Sequence, residues 1–184
     1  MALTESTMLE LGTAAPDFAL RDVVTGKTLR RDDFRGQSGL LVMFICTHCP
    51  YVKHIEKSLA QLGSDYSGKL GIVAISSNDA QNYPDDSPEG LKKQAQRLGF
   101  AFPYLYDESQ AIARAYDAAC TPDIYLFDKD FKLVYRGQFD GARPGNNEPV
   151  TGKDLRIATD AVLRGEKPDT DQKASIGCNI KWKS

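Results

Sequence analysis

The sequence predicts an α/β fold, a central sheet flanked by helices, and three observations carry that prediction. Short apolar runs alternate along the chain with segments whose apolar residues recur every three and four positions. The runs are continuous, as in strands buried on both faces. A tight hairpin pattern near residue 130 adds an antiparallel edge.

Taken in order, "PDFALRDVVTGKTLRRDDF" (16–34) reads as two short strands around a turn at Gly26. "GLLVMFI" (39–45) is a buried strand. The following helix carries Val52, Ile55, Leu59, Leu62 and Tyr66 as one stripe, with Pro50 in its first turn, where a missing N–H costs little. "KLGIVAIS" (69–76) is a second buried strand. A polar loop, "SNDAQNYPDDSPEG", ends at Ser87-Pro88, a helix start, and Gly99 closes that helix. "FPYLYD" (102–107) is a third strand, followed by a short helix around Ile112 and Tyr116. "DIYLFDKDFKLVYRG" (123–137) is the hairpin, turning at Lys129-Asp130. Thr151 is read as the cap of a last helix lined by Leu155, Ala158 and Val162. Helices between strands imply right-handed crossovers and a largely parallel sheet. Residues 1–165 form one domain, and 166–184 form a tail packing on or near it through Ile176, Ile180 and Trp182.

Composition excludes several classes. Charged residues at 26% and hydrophobic residues at 41% are ordinary globular values. A net charge of −2, with Lys and Arg scattered, gives no footprint for nucleic acid. The longest apolar run is too short to span a bilayer, so no membrane partner is expected. The N-terminus lacks a basic region followed by an apolar one, and a cytoplasmic location is the expectation.

The chemistry concentrates in "MFICTHCPYVKH" (43–54). Cys46 follows a buried strand, and Cys49 stands at the start of a helix. A helix N-terminus presents free N–H groups and a positive partial charge, which stabilise a thiolate. The thiolate is the attacking species in disulfide exchange. Cys46, nearer the strand end, is the expected attacker, and Cys49 the resolving thiol. Thr47 and His48 lie between them, and a protonated His48 would stabilise the thiolate. His54 is expected on the solvent face. A metal clamp is the rival reading, with the cysteines joined by His48, His54, Cys120 or Cys178, as soft thiolates suit Cu(I). The acidic residues Asp79, Asp85 and Asp86 are read as solvated loop or helix-capping groups rather than ligands.

Strand–CxxC–helix, with Thr121-Pro122 before a hairpin strand, resembles the thioredoxin superfamily. "LGTAAPDFALRD…GKTLRRDDFRG" is similar to the opening of its branch related to alkyl hydroperoxide reductase and the thiol-specific antioxidant proteins. "SIGCNIKW" and "SSNDAQNYPDDSPE" resemble a thioredoxin-like or peroxiredoxin-like subgroup. The resemblance implies a thioredoxin-like fold with an N-terminal β extension and a C-terminal arm. It implies that Pro122 is cis and faces the dithiol, with Thr121 and Pro122 binding the substrate backbone. Cys120 would lie close by, open as an auxiliary redox thiol or as a small buried apolar residue, and Cys178 is open as a resolving redox thiol on the arm or as part of a tail that only docks.

The sequence also departs from its relatives. Ile45 stands where thioredoxins carry Trp, and Thr47-His48 replaces their Gly-Pro. Peroxiredoxins carry Pro and Thr or Ser seven and three residues before the peroxidatic cysteine. The corresponding residues here are Val42 and Cys46, or Gly39 and Met43. The leading expectation is therefore a thiol–disulfide oxidoreductase using Cys46 and Cys49, with Thr47 and His48 tuning it and no cofactor. Its substrate would be a disulfide-bearing protein or small molecule. A reductase or low-molecular-weight thiol would regenerate it, and a homodimer is open to it. The alternatives are a hydroperoxide-reducing thiol peroxidase with an antioxidant role and a non-enzymatic metal-binding protein of the copper-chaperone kind.

Overall fold

The computed structural model describes residues 2–184. The chain begins with β1 (Leu3–Glu5), then forms the antiparallel pair β2 (Ala19–Asp22) and β3 (Thr28–Arg30). The buried strand β4 (Gly39–Phe44) leads through the CxxC loop into α1 (Pro50–Asp65). Next come β5 (Gly71–Ser76), α2 (Pro88–Leu98), β6 (Tyr104–Tyr106) and α3 (Ala111–Ala115). The chain finishes with β7 (Cys120–Thr121), the hairpin β8 (Asp123–Asp128) and β9 (Leu133–Arg136), α4 (Lys153–Leu163) and β10 (Ile176–Asn179).

A seven-stranded sheet runs β3-β2-β6-β5-β4-β8-β9. It is less parallel than the strand–helix alternation predicts. Only β4–β5 and β5–β6 run parallel, because the N-terminal hairpin adds antiparallel to β6 and the second hairpin adds antiparallel to β4. The result is a thioredoxin-like α/β fold with a mixed sheet. Both faces of β4 and β5 are buried, which is why their sequences lack alternation. On one face α1 buries Val52, Ile55, Leu59 and Leu62 against Leu41, Met43 and Ile45. Each such side chain contributes about 1.5–3 kcal/mol on leaving water. On the other face Val42, Phe44, Tyr116 and Tyr125 form a second apolar cluster.

Ser87 caps α2, its hydroxyl accepting from the Gly90 N–H, and Gly99 ends the helix in the left-handed conformation. Thr151 is not the cap of α4. That place falls to Gly152, while the Thr151 hydroxyl accepts only from Lys153 N–H at 3.2 Å.

The C-terminal segment forms a structure of its own. A three-stranded sheet runs β1-β10-β7, with Cys178 opposite Leu3 on one side and Thr121 on the other. The arm buries Cys178 and Ile180 together with the polar Ser175 and Lys181, and Ile176 is half-buried. Trp182 stays 38% exposed, with the Arg114 guanidinium 4.4 Å above its ring, because it lies beyond the paired strand.

Candidate functional site: a dithiol under the C-terminal strand

Fold topology brings three chain segments to one point. The β4–α1 loop carries Cys46, Thr47, His48 and Cys49. The β7–β8 junction carries Thr121-Pro122, whose peptide bond is cis. Strand β10 carries Cys178. The Cys46 Sγ lies 3.4 Å from the Thr121 hydroxyl. The Cys49 Sγ lies 3.2 Å from the Thr121 carbonyl and 2.7 Å from the Cys178 Sγ. All four cysteines are free thiols and buried.

The two sulfurs of the CxxC loop are electrostatically unequal. Cys49 occupies the N-cap position of α1. Its pKa is lowered to about 5, chiefly by the hydrogen bond from Cys46 and further by Cys178, the Val52 N–H and Thr121, against the cost of burial. Cys46 moves the other way. Burial raises it, as do its hydrogen bond to Cys49 and the nearby Asp86 carboxylate. The sequence expectation put the attacking thiolate on Cys46; of the two sulfurs, Cys49 is the one whose environment favours the thiolate, with Cys46 the largest contributor.

Asp86 is the residue the sequence reading underestimated. It is fully buried, not a solvated loop acid. Its Oδ1 accepts from the Thr47 N–H at 2.8 Å and the Thr47 hydroxyl at 2.6 Å, and its Oδ2 accepts from Asn78 Nδ2 at 2.8 Å. His48 Nδ1 reaches Asp86 Oδ2 at 2.6 Å, off the direction of a well-aligned N–H. Burial pushes the Asp86 carboxyl up, but the bonds from His48, Thr47 and Asn78 outweigh it and hold it below its ordinary value. His48 is half-buried and stacks on Tyr83 with ring centroids 5.4 Å apart. His54 is exposed on α1. Gln94 fixes the loop from the other side, its Nε2 donating to the Cys46 carbonyl at 3.1 Å and its Oε1 accepting from Tyr104.

A second buried polar group shapes the cis-proline corner. Asp123 and Arg136 are both fully buried and paired, and the guanidinium lies 3.8 Å over the Tyr125 ring. Asp123 also accepts from Ser6 Oγ at 2.9 Å and from the Ala119 N–H at 2.9 Å, which ties β1 and the residues before Cys120 to β8.

Cys46, His48 and Asp86 place a sulfur, a nitrogen and an oxygen within 4.8 Å of one another, a set that could hold a divalent ion. Cys120 is not part of the dithiol. Its thiol faces the Pro122 carbonyl at 3.5 Å, and burial pushes its pKa well up. The expectation that Thr121 and Pro122 bind the substrate backbone meets an obstacle: β10 already pairs with Thr121. A cleft of about 590 Å³ is lined by Thr47, Pro84, Asp85, Ser87, Gln94 and Arg97 among others, so it adjoins the CxxC loop through Thr47, while the Cys46 thiol itself is buried.

The AhpC/TSA family pattern matches residues 11–136, which spans the CxxC loop and the cis-proline. The chain belongs to the AhpC/TSA family. It is 30% identical over 133 residues to the thiol-disulfide oxidoreductase ResA of Geobacillus thermodenitrificans, covering 71% of this chain and 70% of ResA. ResA of Geobacillus kaustophilus is 32% identical over 129 residues, covering 69% and 68%. On that kinship this member of the thioredoxin superfamily is an oxidoreductase. Among solved structures, an uncharacterised conserved protein from Geobacillus kaustophilus is similar over 100% of this chain and 97% of its own, at 54% identity and a TM-score of 0.97. A hypothetical protein from Sinorhizobium meliloti covers 98% and 99%, at 49% identity and a TM-score of 0.96. Both extend through the C-terminal arm, which the family pattern does not reach.

Proposed function

We propose that the chain is a thiol–disulfide oxidoreductase that works through the Cys46–Cys49 dithiol. One observation carries the reading: a buried cysteine at a helix N-terminus, with its pKa lowered to about 5, beside a second thiol that donates to it. Cys49 is enclosed by Cys178 and the Thr121 carbonyl, and Cys46, also buried, is next to Thr47 in the cleft wall, so the cleft side brings a substrate disulfide to Cys46 first. Cys46 passes its proton to the Cys49 thiolate and attacks one substrate sulfur. A mixed disulfide forms and the other substrate sulfur leaves as thiolate. That thiolate takes the proton back from Cys49, which then attacks Cys46 Sγ and releases the second substrate sulfur as a thiolate. The protein ends as the Cys46–Cys49 disulfide, and the substrate disulfide ends as one thiol and one thiolate, which water protonates. The ordering keeps Cys46 as attacker, with Cys49 as both proton acceptor and resolving thiol. Thr47 and His48 act through Asp86, which sets the loop and keeps a negative charge near Cys46. A disulfide-bearing protein and a regenerating thiol are the partners this chemistry requires.

A second reading, a thiol peroxidase, is favoured by the same depressed Cys49, since the thiolate is also what peroxide oxidises. Reduction of a model protein disulfide, with dithiothreitol as final reductant, separates the two. Acceleration by wild type, lost in Cys46→Ser and in Cys49→Ser, supports disulfide exchange. Hydrogen peroxide consumed far faster than by a free thiol, with no acceleration of disulfide reduction, would overturn it in favour of the peroxidase.

A further inference from the structure

Cys178 is the nucleophile that the Cys46–Cys49 chemistry leaves unused. It sits on β10, which carries no other cysteine, and pairs with Thr121, directly across from the residue that contacts both dithiol sulfurs. Its Sγ is 2.7 Å from the Cys49 Sγ, inside ordinary contact of two sulfurs. Such an approach needs the two backbones unusually close, and the sequence provides for it next door. A Cβ on Gly177 would stand 1.9 Å from the Thr121 carbonyl oxygen, so only glycine lets β10 lie this near the cis-proline strand. The arm is held there from both edges, by β1 and by β7, and it continues into the buried Ile180 and the Lys181 N–H bond to Asn78 Oδ1 at 2.8 Å. Asn78 also binds Asp86, so one side chain links the arm to the CxxC loop. The three sulfurs do not converge on one point, as they do not all lie within 4.8 Å of one another. Cys49 is the sulfur that both others approach.

We infer that Cys178 is a third redox thiol, which takes the disulfide from the Cys46–Cys49 pair by exchange at Cys49. The inference rests on the proposed disulfide exchange, since it begins from that pair's oxidised state. In the step, the Cys178 sulfur attacks Cys49 Sγ. A Cys178–Cys49 bond forms, the Cys49–Cys46 bond breaks, and the Cys178 proton ends on Cys46. No outside oxidant is needed, because one disulfide replaces another. In the reduced protein burial and the neighbouring Cys49 thiolate hold the Cys178 pKa up at about 12. Oxidation of Cys49 removes that thiolate's share of the restraint and leaves the part due to burial. The consequence is directional. Cys46 is returned to the thiol state while the disulfide is held between the start of α1 and the C-terminal arm, with both of its sulfurs buried.

The test uses the full chain. Wild type, Cys46→Ala and Cys46→Ser proteins are oxidised with trans-oxidised dithiothreitol, quenched in acid, alkylated and digested without reduction. Tryptic peptides then report the links, because Cys46 and Cys49 share one peptide and Cys178 lies on another. The expected result in both Cys46 variants is the intramolecular Cys49–Cys178 cross-link, with loss of both alkylation sites together. In wild type a Cys46–Cys49 disulfide forms first and the cross-link follows. If the Cys46 variants keep both thiols alkylatable, or form only intermolecular or dithiothreitol-linked products, the inference fails. Wild type that forms Cys46–Cys49 and never Cys49–Cys178 overturns the relay alone. Wild type that forms neither overturns the disulfide-exchange reading beneath it.

Discussion

Replacing Cys46 with Ala tests where the negative charge of the reduced site resides. The Cys49 thiolate owes its low pKa first to the Cys46 hydrogen bond, and then to Cys178, the Val52 N–H and Thr121. A hydrogen bond to a charged group contributes about 1.5–3 kcal/mol. At about 1.4 kcal/mol per pKa unit, losing it lifts Cys49 by roughly one to two units. The remaining donors keep it below the ordinary cysteine value. Ultraviolet absorbance of the thiolate, followed from acid to alkaline pH on fully reduced protein, reads this directly. Wild type gives one thiolate with a midpoint near 5, present above that pH and lost as the pH falls through it. Cys46→Ala moves the midpoint upward, and Cys120→Ala leaves it in place, since Cys120 is turned toward Pro122. An unchanged midpoint in Cys46→Ala, or a low-pH thiolate that vanishes in that variant, would refute the assignment to Cys49.

Other consequences follow from the same geometry. Arg136→Met leaves Asp123 buried and unpaired, so urea unfolding should show a loss of about 3–5 kcal/mol, with part of it recovered by adding Asp123→Asn. Asp86→Asn removes the carboxylate that raises Cys46, and timed alkylation with peptide mapping should find Cys46 labelled faster near neutral pH; equal rates would contradict the role given to Asp86. Gly39→Ala puts a Cβ 2.5 Å from the Phe127 carbonyl oxygen and 2.8 Å from Val162 Cγ1, and should lower the unfolding free energy by about 1–3 kcal/mol.

Much of this fold was legible because the central strands have both faces buried. "GLLVMF" and "GIVAIS" leave few other readings, and the stripe Val52, Ile55, Leu59, Leu62 marks α1 by spacing alone. Strand β1 was not legible. "LTE" has no pattern of its own and becomes a strand only by pairing with β10, more than 170 residues away. The sheet's mixed direction was hidden for a similar reason, as nothing local in "ALRD" says that it will join β6 rather than a neighbour in sequence. In the site, the CxxC spacing and the Thr-Pro dipeptide pointed to Cys46, Cys49, Thr121 and Pro122, and the structure brings all four together. Asp86 was named but misread, because a loop rich in Asp, Ser and Asn looks solvated until the fold closes over it. The Asp123–Arg136 pair and the Cys49–Cys178 contact join residues 13 and 129 positions apart, and such couplings leave no periodic trace. The one available signal for the latter was the glycine before Cys178, which marks a close backbone approach.

The central claim is that Cys46 and Cys49 form a reversible dithiol. The most direct measurement equilibrates the protein in a series of glutathione redox buffers, traps thiols in acid with a mass tag, and maps the tag to each cysteine. The account predicts that Cys49 loses its tag in one two-electron transition, that the loss is matched by Cys46, with any share taken over by Cys178 restored at Cys46, and that Cys120 stays labelled throughout. Cys46 and Cys49 remaining fully tagged across the series, or carrying only glutathione without a bond between them, would contradict it.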